Sequence, residues 1–139
     1  MYNFDMDECI FCKIVEGKIK SWKVFEDENI LAFLDVYPAN KYHTLVISKK
    51  HYENVFDMPE KELVEIMKAI KILVNLYKEK LGIKNIQILN SSGIEAQQTV
   101  PHCHFHIVPR KSGDGQDIHF STHPEWKEEY DQMLLKLKI

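Results

Sequence analysis

The chain of 139 residues lacks the features that mark several large classes of protein. It has no apolar run long enough to span a membrane, since a spanning helix needs about 20 consecutive apolar residues. Lysine and arginine number 18 against 21 acidic residues, and the formal net charge of -3 argues against a dedicated nucleic-acid binder. Its three cysteines are an odd number, which does not suggest a disulfide framework.

The N-terminal stretch "MYNFDMDECIF" has no basic region followed by an apolar stretch, as a secretory signal would. We therefore expect a cytoplasmic protein whose cysteines are reduced. The chain shows no internal repeat and no low-complexity segment. Its length fits one domain, residues 1–139, with a substantial core.

Two segments have the three-to-four spacing of apolar residues that is typical of helices. Residues 8–16 predict a short helix that Asp7 caps and Gly17 ends. Residues 59–81 predict a long amphipathic helix that starts after Asp57.

The remaining apolar segments are short and separated by turn residues, which is typical of strands. Strands are predicted at 22–27, 30–36, 42–48, 83–90 and 102–108, and a last helix at 123–138 with Pro124 in its first turn. Strands in hairpin order around one long helix predict an α+β domain with an antiparallel sheet.

The stretch "HCHFHIV", residues 102–108, places a histidine at every second position. Neighbours on a strand point to opposite faces, so the three histidines should share one face and the residues between them should face the core. Imidazoles in a row fit a metal site. They also fit covalent catalysis, in which a neutral imidazole attacks phosphorus. The polar loop "NSSGIEAQQT" favours the second, because its donors suit phosphate oxygens.

Cys9 and Cys12 form a Cys-x-x-Cys pair in the first predicted helix. The pair alone is consistent with a redox site, with two core thiols, or with half of a zinc site. His51 and His102 are candidates for the other two zinc ligands. Four protein ligands would close such a site, which would then be structural.

The motif "HCHFHIV" resembles the pattern that names the histidine triad (HIT) superfamily of nucleotide hydrolases and transferases. The segments "CIFCKIVEGKI", "FLDVYPANKYHTLVISKKHY" and "QQTVPHCHFHIVPR" resemble, in this order, bacterial members of the Hint-like nucleoside phosphoramidase branch. The resemblance covers nearly the whole chain. It implies the HIT fold, a five-stranded antiparallel sheet with one long helix and short N- and C-terminal helices.

The resemblance also implies catalytic roles. His104 should attack the α-phosphorus of a nucleotide and form a nucleotidyl-histidine, which water hydrolyses to a nucleoside monophosphate. His106 should contact the phosphate, and His43 should complete the cluster. Gln98 matches a residue that contacts the phosphate and the leaving group.

The nucleotide-binding residues that the resemblance implies fall into three groups. An apolar cleft should surround the base, an acidic side chain should accept the ribose hydroxyls, and a polar loop should hold the phosphate. These are Ile10, Phe11, Ile14, Phe33 and Val36 at the base, Asp35 at the ribose, and Asn90, Gln97, Gln98 and Thr99 in the loop with His104 and His106. Gln97 departs from the family, which commonly has glycine there.

Bacterial relatives with the cysteine pair imply a structural zinc ion on Cys9, Cys12, His51 and His102, and no catalytic metal. The expected partners are a purine nucleotide and a second copy of the chain in a homodimer, with no nucleic acid polymer and no membrane. Three alternatives stay open: a dinucleoside polyphosphate hydrolase of the Fhit type, a nucleotide-binding regulatory module, and a zinc metalloenzyme that uses the three triad histidines together.

Overall fold

A computed structural model of the chain describes residues 8–138. Its elements are α1 (Ile10–Val15), β1 (Lys23–Glu26), β2 (Ile30–Leu34), β3 (Thr44–Ser48), α2 (Glu60–Leu81), β4 (Ile86–Leu89), β5 (His104–Pro109) and α3 (Tyr130–Leu137). The strands form one antiparallel sheet in the order β1-β2-β3-β5-β4. The predicted α+β fold is confirmed. Within residues 8–138 no helix combines the length and the apolar content that crossing a membrane requires.

The adjacent strands β2 and β3 are buried on both faces of the sheet. Long helix α2 packs on one face, where its Ile66, Ile70 and Leu73 join the core formed by alternate residues of the strands. Short helix α1 packs on the other face through Phe11 and Ile14. Burial on both sides explains why "ILAFL" and "TLVIS" show no alternation of apolar and polar residues, and in the second segment the polar Thr44 and Ser48 at its two ends are buried as well.

Several predicted boundaries shift in the structure. Helix α1 begins at Ile10 with Cys9 as its N-cap, and the predicted cap Asp7 lies outside the described residues. Helix α2 is capped by Pro59 and ends at left-handed Gly82, while the Asp57 carboxylate accepts the Glu53 and Asn54 N–H groups of the preceding turn. The predicted last helix opens with a 3₁₀ segment, Pro124–Glu129, and becomes α-helical only in α3.

Two residues other than glycine have a left-handed backbone among residues 8–138. Tyr42 has a φ of 67° directly before His43, and Gln97 has a φ of 70° directly before Gln98. A side chain in this region costs about 1–2 kcal/mol because Cβ approaches the following carbonyl oxygen. Gln97 closes the 3₁₀ turn Ile94–Ala96 by donating its N–H to the Ile94 carbonyl at 3.0 Å.

We expect Gln97→Gly to stabilise the protein by about 0.5–1 kcal/mol, because relief of the left-handed strain exceeds glycine's extra backbone entropy. Glu95→Gly is the matched control, since Glu95 lies in the same turn without a positive φ, and we expect it to destabilise. Guanidinium denaturation of both variants measures the difference. A Gln97→Gly variant less stable than the parent chain would contradict the strain argument.

Candidate active site

His104 and His106 lie in the first half of β5, His102 directly precedes this strand, and the three rings lie on the α1 face of the sheet. His104 pairs with Ile47 of β3 and His106 with Leu45, and both partners belong to the core beneath α1. The alternate residues Cys103, Phe105 and Ile107 are buried in the core beneath α2. The predicted division of the stretch between two faces is confirmed.

The tautomer of His104 is determined by the backbone. Its Nδ1 lies 2.8 Å from the carbonyl oxygen of His102. A carbonyl oxygen can only accept a hydrogen bond, so Nδ1 carries the proton and Nε2 has a free lone pair. Burial lowers the pKa of His104, so the ring is neutral at pH 7. His104 therefore has the protonation state that a nitrogen nucleophile requires.

His43 and His106 form a second pair with determined tautomers. The Ala39 N–H donates to His43 Nδ1 at 2.9 Å, so the proton of neutral His43 lies on Nε2. That Nε2–H donates to His106 Nδ1 at 2.8 Å, which leaves Nε2–H as the donor of His106. Burial lowers the pKa of His43 and lowers that of His106 to about 4. His106 is thus a neutral N–H donor.

Asp35 completes this end of the site. Its Oδ1 accepts the Tyr37 N–H at 2.8 Å, and its Oδ2 lies 3.5 Å from His43 Nε2. The ligand atoms of Asp35, His43 and His106 lie within 4.8 Å of one another, a separation that would suit a metal ion. The hydrogen bond from Ala39 argues against this use, because a neutral His43 that accepts at Nδ1 has no lone pair at Nε2 for a metal.

A cavity of about 260 Å³ lies between α1 and the histidines. Its lining includes Ile10, Phe11, Ile14, Phe33, Asp35, Val36, Thr99, His104 and His106, so the structure brings most of the predicted nucleotide-binding residues together. Val36 is 63% exposed and Ile10 is 46% exposed. These two apolar side chains therefore belong to the open wall of the cavity and not to the core.

Three of the predicted nucleotide-binding residues are not in the cavity lining, and neither is the predicted catalytic residue His43. Asn90 donates from Nδ2 to the carbonyl oxygen of His104 at 3.0 Å, and this bond stabilises the backbone at the start of β5. The side-chain oxygen of Gln98 accepts a hydrogen bond from the Gly93 N–H, and its side-chain nitrogen donates to the carbonyl oxygens of Glu53 and Val100. Gln97 is exposed. The implied phosphate and leaving-group contacts of these residues stay predictions.

The structure adds cavity residues that sequence reasoning missed, among them Lys20 and Ser21. Trp22 O accepts the Leu34 N–H at 2.9 Å, which extends the β1–β2 pairing and brings Ser21 beside Asp35. The Ser21 hydroxyl is the one buried side-chain polar atom of residues 8–138 that has no hydrogen-bond partner. Nothing in the local sequence marks these residues, because only the strand pairing places them at the cavity.

A second cluster lies behind α1, where Cys9, Cys12, His51 and His102 converge. Cys9 Sγ to His102 Nδ1 is 3.4 Å, and the two imidazole Nδ1 atoms are 3.1 Å apart. Cys12 Sγ lies 3.3 Å from His51 Nδ1 and 3.5 Å from His102 Nδ1. Tetrahedral zinc with its usual bond lengths would give about 3.3 Å between two nitrogen ligands and about 3.6 Å between nitrogen and sulfur, so the spacing fits zinc.

The protonation of this cluster also fits a cation. His102 Nε2–H donates to the Ser48 carbonyl at 2.9 Å, so Nδ1 has a lone pair that points at both sulfur atoms. Without a cation, burial raises the pKa of Cys12 to about 12 and lowers the pKa of His102 to about 4. A bound zinc ion would lower the pKa of Cys12, since it favours the thiolate, and it would bind the neutral imidazole that burial already favours at His102.

The fold and the histidine-lined cavity define the class of protein. A sequence profile of the HIT domain matches residues 16–113, and the chain belongs to the HIT family. It is 51% identical over 112 residues to a HIT-like protein of Methanocaldococcus jannaschii, covering 81% of this chain and 86% of that protein. It is 35% identical over 122 residues to the adenosine 5'-monophosphoramidase of Schizosaccharomyces pombe, covering 87% and 89% respectively.

Solved structures agree with this assignment. A HIT family protein from Bacillus anthracis superposes with a TM-score of 0.87 at 35% identity, covering 94% of this chain and 95% of that one. A zinc-bound histidine triad family protein from Mycobacterium smegmatis superposes with a TM-score of 0.75 at 30% identity, covering 96% and 100%. The predicted HIT fold is therefore confirmed.

We expect His106 to make the protein sensitive to acid. Its folded-state pKa of about 4 lies below the ordinary histidine value of 6.5, so the unfolded chain binds the proton first as the pH falls. The contribution of neutral His106 to the free energy of unfolding is complete above pH 6.5. As the pH falls from 6.5 to 4, this contribution decreases by about 3 kcal/mol. Denaturant unfolding at several pH values should show a shallower loss of stability for His106→Asn than for the parent chain.

The exposed His119 supplies the control for this measurement. A His119→Asn variant should lose stability with falling pH as steeply as the parent chain does. If His106→Asn and His119→Asn gave the same profile, the neutral state assigned to His106 would be wrong.

Proposed function

We propose that the protein is a nucleotide hydrolase that cleaves a nucleoside 5'-phosphoramidate, or a related nucleoside phosphate derivative, to a nucleoside monophosphate. The observation that carries the proposal is His104, whose Nε2 lone pair is freed by the hydrogen bond from Nδ1 to His102 O, in a residue that lines the cavity. A buried, neutral imidazole in such a position is suited to attack on phosphorus.

In the first step the His104 Nε2 lone pair forms a bond to the α-phosphorus. The bond from phosphorus to the leaving nitrogen breaks, and the leaving nitrogen keeps the electron pair and takes a proton from water. The histidine ring acquires positive charge, which the His102 carbonyl stabilises because it accepts the Nδ1–H at 2.8 Å. The Nε2–H of His106 is a donor for a phosphate oxygen.

In the second step water attacks phosphorus and gives one proton to the hydroxide that the first step left, while the His104 Nε2 leaves with the electron pair of its bond. The products are a nucleoside monophosphate and the original neutral imidazole. Splitting one displacement into two lets the same nitrogen serve as nucleophile and then as leaving group. The hydrogen bond between Ala39 and His43 keeps His106 as a donor through both steps.

The cavity supports recognition of a purine nucleoside. Phe11, Ile14 and Phe33 offer apolar and aromatic surface for a flat base, and Phe11 and Phe33 are in edge contact at 5.6 Å between ring centroids. Asp35 keeps one carboxylate oxygen that no backbone N–H occupies, and an ionised carboxylate accepts well from ribose hydroxyls. The adenosine 5'-monophosphoramidase among the relatives supports this substrate class.

A dinucleoside polyphosphate hydrolase would use the same nucleophile. Relative turnover of adenosine phosphoramidate and a diadenosine polyphosphate distinguishes the two activities. A regulatory nucleotide-binding module would bind nucleotide without turning over either compound.

We also propose that Cys9, Cys12, His51 and His102 hold a structural zinc ion, as their spacing and the zinc-bound relative from Mycobacterium smegmatis support. The ion would supply a four-ligand crosslink and no open coordination position for substrate. The proposed hydrolysis uses no side chain of this group as a catalyst. The three reduced cysteines support a cytoplasmic location.

We further propose a homodimer. The exposed apolar side chains of α3 and of the segment before it support this, including Phe120 at 84% and Leu137 at 72% exposure. Light scattering should give a mass of about twice 16.4 kDa, and a mass of one chain at micromolar concentration would exclude the dimer.

The covalent intermediate is the sharpest test of the mechanism. Rapid quench with a labelled adenosine phosphoramidate should trap a nucleotidyl adduct that mass mapping places on His104. The His104→Ala variant should form no adduct and lose activity by at least about 10³-fold, since it has no nucleophile. His123→Ala is the control, because His123 is exposed and stacks on Trp126 away from the cavity. Turnover without any adduct on His104 would contradict the mechanism.

A further inference from the structure

We propose that the zinc cluster and the nucleotide cavity are thermodynamically linked, so that zinc binding raises the affinity for nucleotide and nucleotide binding raises the affinity for zinc. This inference rests on the proposed function, since it takes a nucleotide as the ligand of the cavity. It assigns to Cys9, Cys12, His51 and His102 the role of positioning residues for a site that they do not line.

The first link is helix α1, which belongs to both sites. Its N-cap Cys9 and its residue Cys12 supply the two sulfur atoms of the cluster. Ile10, Phe11 and Ile14 of the same helix form one wall of the cavity. Any shift of the sulfur atoms therefore moves the surface on which the base would lie.

Helix α1 cannot hold this position by itself. It has only six residues, and isolated helices shorter than about 12–15 residues are marginal in water. Its N-terminal cap is the Cys9 sulfur, which accepts the Cys12 N–H at 3.3 Å, so the capping atom is itself a candidate zinc ligand. Packing of Phe11 and Ile14 on the sheet holds the helix to the domain, but apolar contacts are not directional.

The second link is His102, which acts on the nucleophile through its backbone. Its ring has Nδ1 in the cluster and donates Nε2–H to the Ser48 carbonyl. Its own carbonyl accepts the Nδ1–H of His104. A metal that fixes the His102 ring thus also fixes the peptide group that orients His104.

Phe11 joins the two links. Its ring makes edge contacts with His102 at 5.8 Å and with His104 at 5.1 Å between centroids. One aromatic side chain of α1 therefore packs against a zinc-ligand candidate and the nucleophile. Because the cavity wall, the cluster and the nucleophile share this ring, displacing one of them disturbs the others.

The ligands also come from separate parts of the chain. The cysteines lie at α1, His51 lies after β3, and His102 precedes β5. A metal on these four residues would fix the distance between the cavity wall on α1 and the strands that supply its other side. Coupling between two such sites is reciprocal, with typical factors of about 5–150. We expect a factor of about ten here, which corresponds to about 1.4 kcal/mol.

The test compares two buried thiols. Cys12→Ala removes a cluster ligand, while Cys103→Ala removes a buried thiol that faces α2 and lies outside the cluster. Zinc content is measured by mass spectrometry, AMP affinity by calorimetry, and folding by circular dichroism. The parent chain and Cys103→Ala should contain one zinc and bind AMP alike. Cys12→Ala and the chelator-treated parent should bind AMP about tenfold more weakly while folded.

Equal AMP affinity of the zinc-loaded and zinc-free folded proteins would overturn the linkage and leave the proposed function standing. Absence of zinc from the parent chain, after refolding with zinc, would also overturn it. Failure of every form to bind AMP would instead contradict the proposed function.

If the zinc-free proteins unfold, cobalt substitution tests the same linkage in a folded protein. Cobalt in a site of two sulfur and two nitrogen ligands absorbs in the visible range, and the spectrum reports ligand geometry. AMP should change the spectrum of the cobalt-loaded parent and Cys103→Ala proteins. An unchanged spectrum, with AMP binding seen by calorimetry in the same sample, would overturn the linkage.

Discussion

A buried imidazole must find a partner for each of its two ring nitrogens, and this constraint organises the functional half of the molecule. His43 meets it with the Ala39 N–H and His106, and His102 meets it on one side with Ser48 O. His104 has the His102 carbonyl oxygen as the hydrogen-bond partner of its Nδ1–H. The remaining nitrogens are at the functional sites. Nε2 of His104 and Nε2 of His106 belong to rings that line the cavity, and Nδ1 of His102 lies among the cluster ligands.

The same constraint gives His102, His104 and His106 different hydrogen-bond partners and therefore different chemical roles. Spacing at every second residue, at and just before β5, places the three rings on one face, but the backbone groups beside each ring differ. His102 turns its Nε2–H to β3, His104 turns its Nδ1–H to the preceding carbonyl, and His106 accepts from His43. The resulting tautomers make one ring a metal-ligand candidate, one a nucleophile and one a donor. Spacing alone would allow any of these roles for each histidine.

Sequence periodicity predicted the parts of the structure that depend on burial. The alternation of residues 102–108 and the apolar face of α2 both follow from which side chains leave water, so the order of apolar and polar residues is enough to predict them. Positions that depend on hydrogen bonds between distant segments could not be predicted in this way. Gln98 bonds the backbone at Glu53, and Ser21 reaches the cavity only through pairing of the chain beside Leu34. Such pairings are determined by the tertiary fold and leave no local signature.

The alternation along β5 has a consequence for how this sequence can change over time. Because side chains reverse face at every residue, an insertion or deletion of one residue within 102–108 would move every side chain on one side of the change to the opposite face, so that imidazoles there would lie under α2 and core residues would face α1. The core beneath α1 and the core beneath α2 would therefore be disrupted by the same change. We therefore expect proteins that share this architecture to keep the length of this segment constant and to differ from one another here by substitution.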